Sequence, residues 1–254
     1  MLLPATLLLF ILANVASMAW HWGRPFLLHD PLAGSPRVFL WAWERPENLA
    51  FLNPRDAGVA VLAKTLVLKG HHILVHPRMQ PIELPPGITT IAVVRIESSA
   101  DSTSEGVRTE AVRQILDLAS HSAAGIQIDF DARVSERSFY RALLTEIRGQ
   151  MPPGKRLSIT ALASWCLYDD WISGLPIDEA IPMLFRLGAD ETQVKHYLAE
   201  GSDFRSSKTR FSIGISLDEL SVKAPAGRRV YVFNPRPWTR ISVHEALRYV
   251  RDWR

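Results

Sequence analysis

From Val38 onward one pattern recurs: short apolar runs of strand length alternate with longer segments of helical period. The strand runs are Val38 to Trp43, Thr65 to Leu68, Thr90 to Ile96, Gly125 to Phe130, Leu157 to Leu162, Ala180 to Phe185, Phe211 to Ile215 and Val230 to Phe233. Helices are expected over Pro54 to Ala63, Ser104 to Ser120, Ser135 to Gln150, Asp190 to Glu200 and Ser242 to Trp253. The third is stopped by Pro152 and Pro153. His71 to Pro77 reads as an extra strand in a hairpin, and Asp218 to Arg229 as a loop. Such alternation defines an α/β protein with a parallel sheet, and eight strands close a (β/α)8 TIM barrel, expected as one domain over residues 37–254. An open doubly wound sheet is the alternative. It lacks its usual support, because no G-x-G-x-x-G or G-x-x-x-x-G-K motif follows the first strand.

The segment before the barrel differs in kind. Residues 1–19, MLLPATLLLFILANVASMA, carry no charge and concentrate Leu, Ile and Phe between Leu2 and Leu12. Ser17 and Ala19 supply the small residues of a signal-peptidase site, so the expectation is an export signal cleaved after Ala19 and a periplasmic or secreted product. The alternative is a retained membrane anchor, with Trp20 and Trp22 at the interface beside Arg24. Residues 20–36 then form a connector. Cys166 is the lone cysteine, so neither an internal disulfide nor a cysteine metal cluster is expected. A formal charge of +3, dispersed without a basic run, argues against nucleic acid as partner. The scattered histidines give no metal site, and no cofactor is expected.

Chemistry concentrates in Gly125-Ile126-Gln127-Ile128-Asp129-Phe130-Asp131. Side chains alternate along a strand, so Ile126, Ile128 and Phe130 share the face toward the helices while Gln127, Asp129 and Asp131 point into the lumen. Two carboxyls about 7 Å apart on an inner face repel one another and lose water, and one pKa should rise. That is how a general acid is made. The plainer alternative is a helix cap at Asp131 and an ion pair at Asp129. Arg95 and Glu97 share a face at the end of the third strand, and Glu44 follows the first; both acids are candidates for a second carboxylate, or for ion pairs with Arg95 and Arg45. Trp41 and Trp43, Trp165 and Trp238 stand at strand ends, where rings stack on sugar faces or pack into the core.

Gly125 to Asp131 resembles the fourth-strand signature of the family-18 glycoside hydrolases, the chitinase-like barrels, whose pattern is Asp-Gly-x-Asp-x-Asp-x-Glu. Ala124 and Gly125 take its first two places and Gln127 the first inner carboxylate, while Asp129 falls on the orienting aspartate and Asp131 on the catalytic glutamate. Leu157-Ser158-Ile159-Thr160-Ala161 is similar to the family's fifth strand, and Met183-Leu184-Phe185-Arg186 to its sixth-strand Met-x-Tyr-Asp. Trp43-Glu44-Arg45-Pro46, the Gln-x-Asp-Phe-Asp core and Thr160 to Cys166 more closely resemble a bacterial family catalogued as domain of unknown function 3142. The resemblance implies an exported barrel acting on a polysaccharide or oligosaccharide, with Asp131 as acid and Asp129 orienting it. Substrate contacts would come from Arg95, Trp43, Thr160, Trp165, Met183, Phe185 and Arg186. The family's floor tryptophan aligns near Asn234, a role that Trp238 fills only if its loop folds back.

The departures carry information too. Asp131 is one methylene shorter than glutamate, Gln127 cannot share a proton, Phe185 lacks a hydroxyl and Arg186 reverses a charge. These changes disfavour a route through a substrate N-acetyl group and leave two-carboxylate hydrolysis. A non-catalytic carbohydrate-binding barrel is the alternative function, and a metal-dependent hydrolase holding its ion on Asp129 and Asp131 is a further one.

Overall fold

A strand buried on both faces has no need to alternate polar with apolar residues, and Val38–Ala42 shows the result. Phe39 and Trp41 turn to one apolar cluster, and Val38, Leu40 and Ala42 to another. The computed structural model describes residues 33–99, 102–119, 124–220 and 226–252. The expected export or anchor segment, 1–19, and most of the connector lie outside the described residues. In chain order the elements are β1 (Val38–Ala42), β2 (Glu47–Asn48), β3 (Gly58–Lys69), β4 (His72–Pro77), β5 (Ile82–Glu83), β6 (Thr90–Ser98), α1 (Glu105–Ala119), β7 (Gly125–Asp129), α2 (Arg137–Gln150), β8 (Arg156–Leu162), α3 (Ala163–Tyr168), β9 (Glu179–Met183), α4 (Glu191–Ala199), β10 (Ser212–Ser216), β11 (Arg229–Phe233) and α5 (Arg240–Asp252).

Eight strands run parallel in the order β1, β3, β6, β7, β8, β9, β10, β11, and β11 pairs back to β1. The barrel is therefore closed, and the open doubly wound alternative falls away. Two apolar layers hold it. The outer one lies between strands and helices and includes Ile126, Ile128, Phe130, Leu143, Leu144 and Ile147. The inner one fills the lumen with Phe39, Trp41, Ala60, Leu62, Ile91, Val93, Ile181 and Tyr231. Burial of one such side chain stabilises the fold by about 2 kcal/mol relative to exposure.

The first third of the barrel departs from the expected helix-after-strand rhythm. The helix expected over Pro54 to Ala63 does not form, because Gly58–Lys69 is one long strand whose alternate residues face opposite layers. Ala60 and Leu62 enter the lumen while Val59 joins the outer layer. A β-bulge between Leu62 and Lys64 then shifts the register against β6, so that Leu66 and Leu68 face outward instead. The lower half of β3 pairs with β1, and the upper half, from Lys64, exchanges β1 for the antiparallel β4. This is the hairpin expected at His71 to Pro77, and Gly70 supplies the positive φ of 58° in its turn. Among the described residues no α-helix follows β1, β3 or β10. The six-residue α3 was not expected, being too short to show a period.

Candidate active site

β7 delivers the inner face that the alternation predicted. Gln127, Asp129 and Asp131 turn away from the layer holding Ile126, Ile128 and Phe130, and each has a different depth. Gln127 is fully buried; its Oε1 accepts a hydrogen bond from Trp41 Nε1 at 2.7 Å, and its Nε2 lies 3.5 Å from Ser158 Oγ. Asp129 stands one step higher at the last residue of β7, where Thr160 Oγ1 on β8 donates to its Oδ1 at 2.7 Å. Asp131 lies at the rim, beyond the strand, and is the most open of the three.

Both carboxyls open into a cavity of about 510 Å³ at the carboxyl end of the strands, a size suited to a small ligand or one to two sugar rings. Trp41 closes its floor. Gly214 on β10 makes room for that indole, since a Cβ there would lie 2.8 Å from Trp41 Cη2. Four strands around the barrel from β7, Phe233 stacks on Phe185 with centroids 5.8 Å apart, and Trp43 meets the Phe233 ring edge-on at 6.0 Å. The cleft thus has an aromatic wall facing a carboxyl wall. Arg95, Glu97, Thr160, Met183 and Arg186 also line it, as expected. Glu97 is at the same time ion-paired with Arg95 at 3.0 Å, the partner expected for it.

Besides Gln127, which lies buried against Trp41 and does not line the cleft, four expected site residues are placed elsewhere. Trp165 is buried in the outer layer, edge-on to Trp171 at 5.2 Å, because α3 carries it between helices. Trp238 is buried there too, its Nε1 donating to Trp41 O at 2.9 Å. Neither ring borders the cleft, so the sugar-platform expectation for this pair is corrected, and the wall is built from Trp43, Phe185 and Phe233 instead. Asn234 turns its Oδ1 onto the Arg236 backbone N–H at 3.0 Å, and the floor position it was aligned with is filled by Trp41 from the opposite end of the chain. Glu44 is exposed outside the cleft and accepts backbone N–H groups of Met79 and Gln80 at 3.0 and 3.1 Å. It is not a second carboxylate of the lumen.

The Trp43-Glu44-Arg45-Pro46 motif therefore braces the rim. Arg45 Nε donates to the buried Glu47 at 2.7 Å, and its NH1 to Pro235 O at 2.9 Å. Glu47 in turn accepts the Trp238 backbone N–H at 2.8 Å, and Arg78 donates to Trp43 O and Arg45 O, both at 2.6 Å. Sequence reasoning also missed Glu136, which is buried and accepts from Ser98 Oγ at 2.5 Å and from the Arg133 backbone N–H at 2.7 Å. It ties the loop carrying Asp131 to the end of β6. The only signal in the sequence is the three-residue spacing of a capping box, and Arg133 is an unusual residue to open one.

Burial, first of all, raises the Asp129 pKa above the ordinary carboxylate value, and repulsion from Asp131 and Glu97 adds to it against the Thr160 hydrogen bond and Arg95. Burial also raises Asp131, opposed by Arg95. The buried Tyr140 phenol is pushed well up by burial and then by both aspartates, so it stays neutral. Among the described residues no three of His, Cys, Asp and Glu are grouped as metal ligands, and no helix is long and apolar enough to cross a membrane.

A carboxyl pair with raised pKa values thus faces an aromatic wall across the mouth of a closed parallel barrel, which places the chain in the class of (β/α) barrels with a cleft at the carboxyl ends of the strands. No family model and no curated protein matches the chain. It is similar to the solved structure of the Bacillus cereus spore cortex-lytic enzyme SleL, with a TM-score of 0.47 and 18% identity over 72% of this chain and 51% of that one. It is also similar to the chitinase domain of the spore coat protein CotE from Clostridium difficile, with a TM-score of 0.44 and 15% identity over 82% of this chain and 70% of that one. The chain spans about half the length of the SleL structure.

Proposed function

We propose that this chain is an exported glycoside hydrolase-like protein of the chitinase-like kind, close in motif to the domain of unknown function 3142 family, acting on a bacterial polysaccharide or cell-wall glycan. The observation that carries the reading is the Asp129–Asp131 pair, both with raised pKa, on the inner face of β7 where it meets the cleft. Asp131, the outer member, is the proton donor. As the bond between anomeric carbon and glycosidic oxygen breaks, its electron pair passes to that oxygen, which takes the Asp131 proton. Water adds to the anomeric carbon, and its spare proton passes to a carboxylate, for which Glu97 on the neighbouring strand is the candidate. Asp129, fixed by Thr160, orients Asp131 and shares one proton with it.

Phe185 supports a second reading, a non-catalytic carbohydrate-binding barrel, because its ring is committed to Phe233 and offers no hydroxyl to the cleft. One comparison separates the two. Exopolysaccharide and cell-wall fragments are screened for binding and turnover with the parent and with Asp131→Asn. Hydrolysis by the parent that falls about a hundredfold to ten-thousandfold in the variant, at retained affinity, supports the acid role. Affinity without turnover in the parent marks a binding barrel, and equal behaviour of the two proteins in every assay defeats the catalytic assignment.

A further inference from the structure

Three arginines line the cleft, and two are already employed. Arg95 pairs with Glu97 at 3.0 Å, and Arg133 donates to Ser98 O at 3.0 Å while lying 3.5 Å from the Glu136 carboxylate. Arg186 makes no ion pair with any described residue. Its guanidinium lies over the Phe233 ring, 5.3 Å from the centroid, and that ring is itself fixed by stacking on Phe185. A guanidinium held by its face on an aromatic keeps its N–H edge for a ligand.

The backbone beneath it is strained. Arg186 has φ of 52°, the sole positive value at a non-glycine among the described residues, in the left-handed region that an L side chain adopts only under strain. Glu219 holds the conformation by accepting the Arg186 backbone N–H at 2.9 Å. Glycine would occupy this position without cost, so the strain is maintained in favour of a side chain. The surrounding charges decide what that side chain receives. Asp129, Asp131 and Glu97 stand on the far wall, and Asp190, which also lines the cleft, forms no ion pair with Arg186. The acids of the far wall are offset by Arg95, by Arg133 and by the proton that the two aspartates share, so Arg186, which makes no ion pair with any described residue, is the cation left for an anionic group entering the cleft.

We propose that the Arg186 edge of the cleft is a subsite for a carboxylate-bearing sugar, the carboxylate accepting hydrogen bonds from the guanidinium while the ring lies along the aromatic wall. This rests on the glycan reading above and names the class of glycan as acidic. The site binds planar carboxylates in preference to sulfate esters because the fork of the guanidinium matches two coplanar oxygens.

The test is calorimetric titration of the full chain with three acidic probes: oligogalacturonate, hyaluronan oligomers and glycan strands containing N-acetylmuramic acid. Each is paired with its methyl-esterified form, and dextran sulfate serves as the sulfated control. At least one acidic probe should bind the parent, and its affinity should fall about tenfold or more on methyl esterification or with Arg186→Gln, while Arg186→Lys keeps part of it. Arg186→Gly, which relieves the backbone strain, provides a variant whose folding is secure and should lose the same affinity. Equal binding of free and esterified forms, unchanged affinity in the Gln and Gly variants, stronger binding of dextran sulfate, or no binding of any acidic probe would each overturn the subsite. Arg186-dependent binding without turnover in the parent upholds the subsite while defeating the hydrolase reading. Turnover of an acidic glycan that Arg186→Gln leaves unchanged does the reverse.

Discussion

At the scale of single residues, Asp129 decides how the site responds to pH. Its carboxyl ionises less readily in the folded protein than in the unfolded chain, so its contribution to stability is fully present below the unfolded value and is lost as pH rises through the folded one. The charged form is held at a cost in the neutral range. Asp129→Asn removes that charge and keeps an oxygen for Thr160, so the variant should gain about 1 kcal/mol at neutral pH, or about 2–4 °C in Tm, and nothing near pH 3. Thermal unfolding at the two pH values reads this directly. In activity the same change should move the basic limb of the pH profile to lower pH, because Asp131 then titrates without a neighbour that shares its proton. An unshifted limb would mean that the two carboxyls act independently. Gln127 shows the opposite use of the same strand face: fully buried and bonded to Trp41, it holds the floor where a glutamate would face an unpaired charge.

At the scale of elements, the lumen face of β7 was legible because period-two alternation depends on the strand alone, and so were the strands whose apolar runs are bounded by turns. The helix expected over Pro54 to Ala63 failed because Val-Ala-Val-Leu-Ala fits either period; the bulge near Ala63 breaks the strand pattern just where a reader would look for it. Trp165 and Trp238 were misplaced for a different reason. A ring at a strand end faces the cleft or the helices according to the loop that follows, and loop direction is set by distant partners such as Glu47 with the Trp238 backbone. That contact also gives a prediction. Glu47 is fully desolvated and serves both Arg45 and the turn before α5, so Glu47→Ala strands the Arg45 charge. It should cost about 3 kcal/mol and lower Tm by about 6–12 °C, measured by thermal unfolding. A shift under about 2 °C would show the latch to be dispensable.

On the scale of the whole molecule, closure depends on one seam. β1 pairs with β11 along Val38 to Leu40, and Trp238 reaches back 197 residues to Trp41. Removing residues 229–254 would leave β1 and β10 as bare edges, which template association between chains. Such a truncated chain should elute as oligomers or precipitate and show no cooperative unfolding transition; a monomer melting like the parent would mean that the seam is unnecessary. The remaining seven strands pair with near neighbours in sequence, which is why their order was readable in advance and the seam was inferred only from their number.

That seam also sets a timetable. β1 is the first strand of the barrel to be made and its partner β11 the last, so a growing chain carries an uncapped strand and an unfilled lumen until β11 emerges. The floor indole has no seat before Gly214 is present, and the cleft has no aromatic wall before Phe233. The carboxyl pair therefore acquires its environment only after the last strand of the barrel is synthesised, and a chain without it exposes those acids to water.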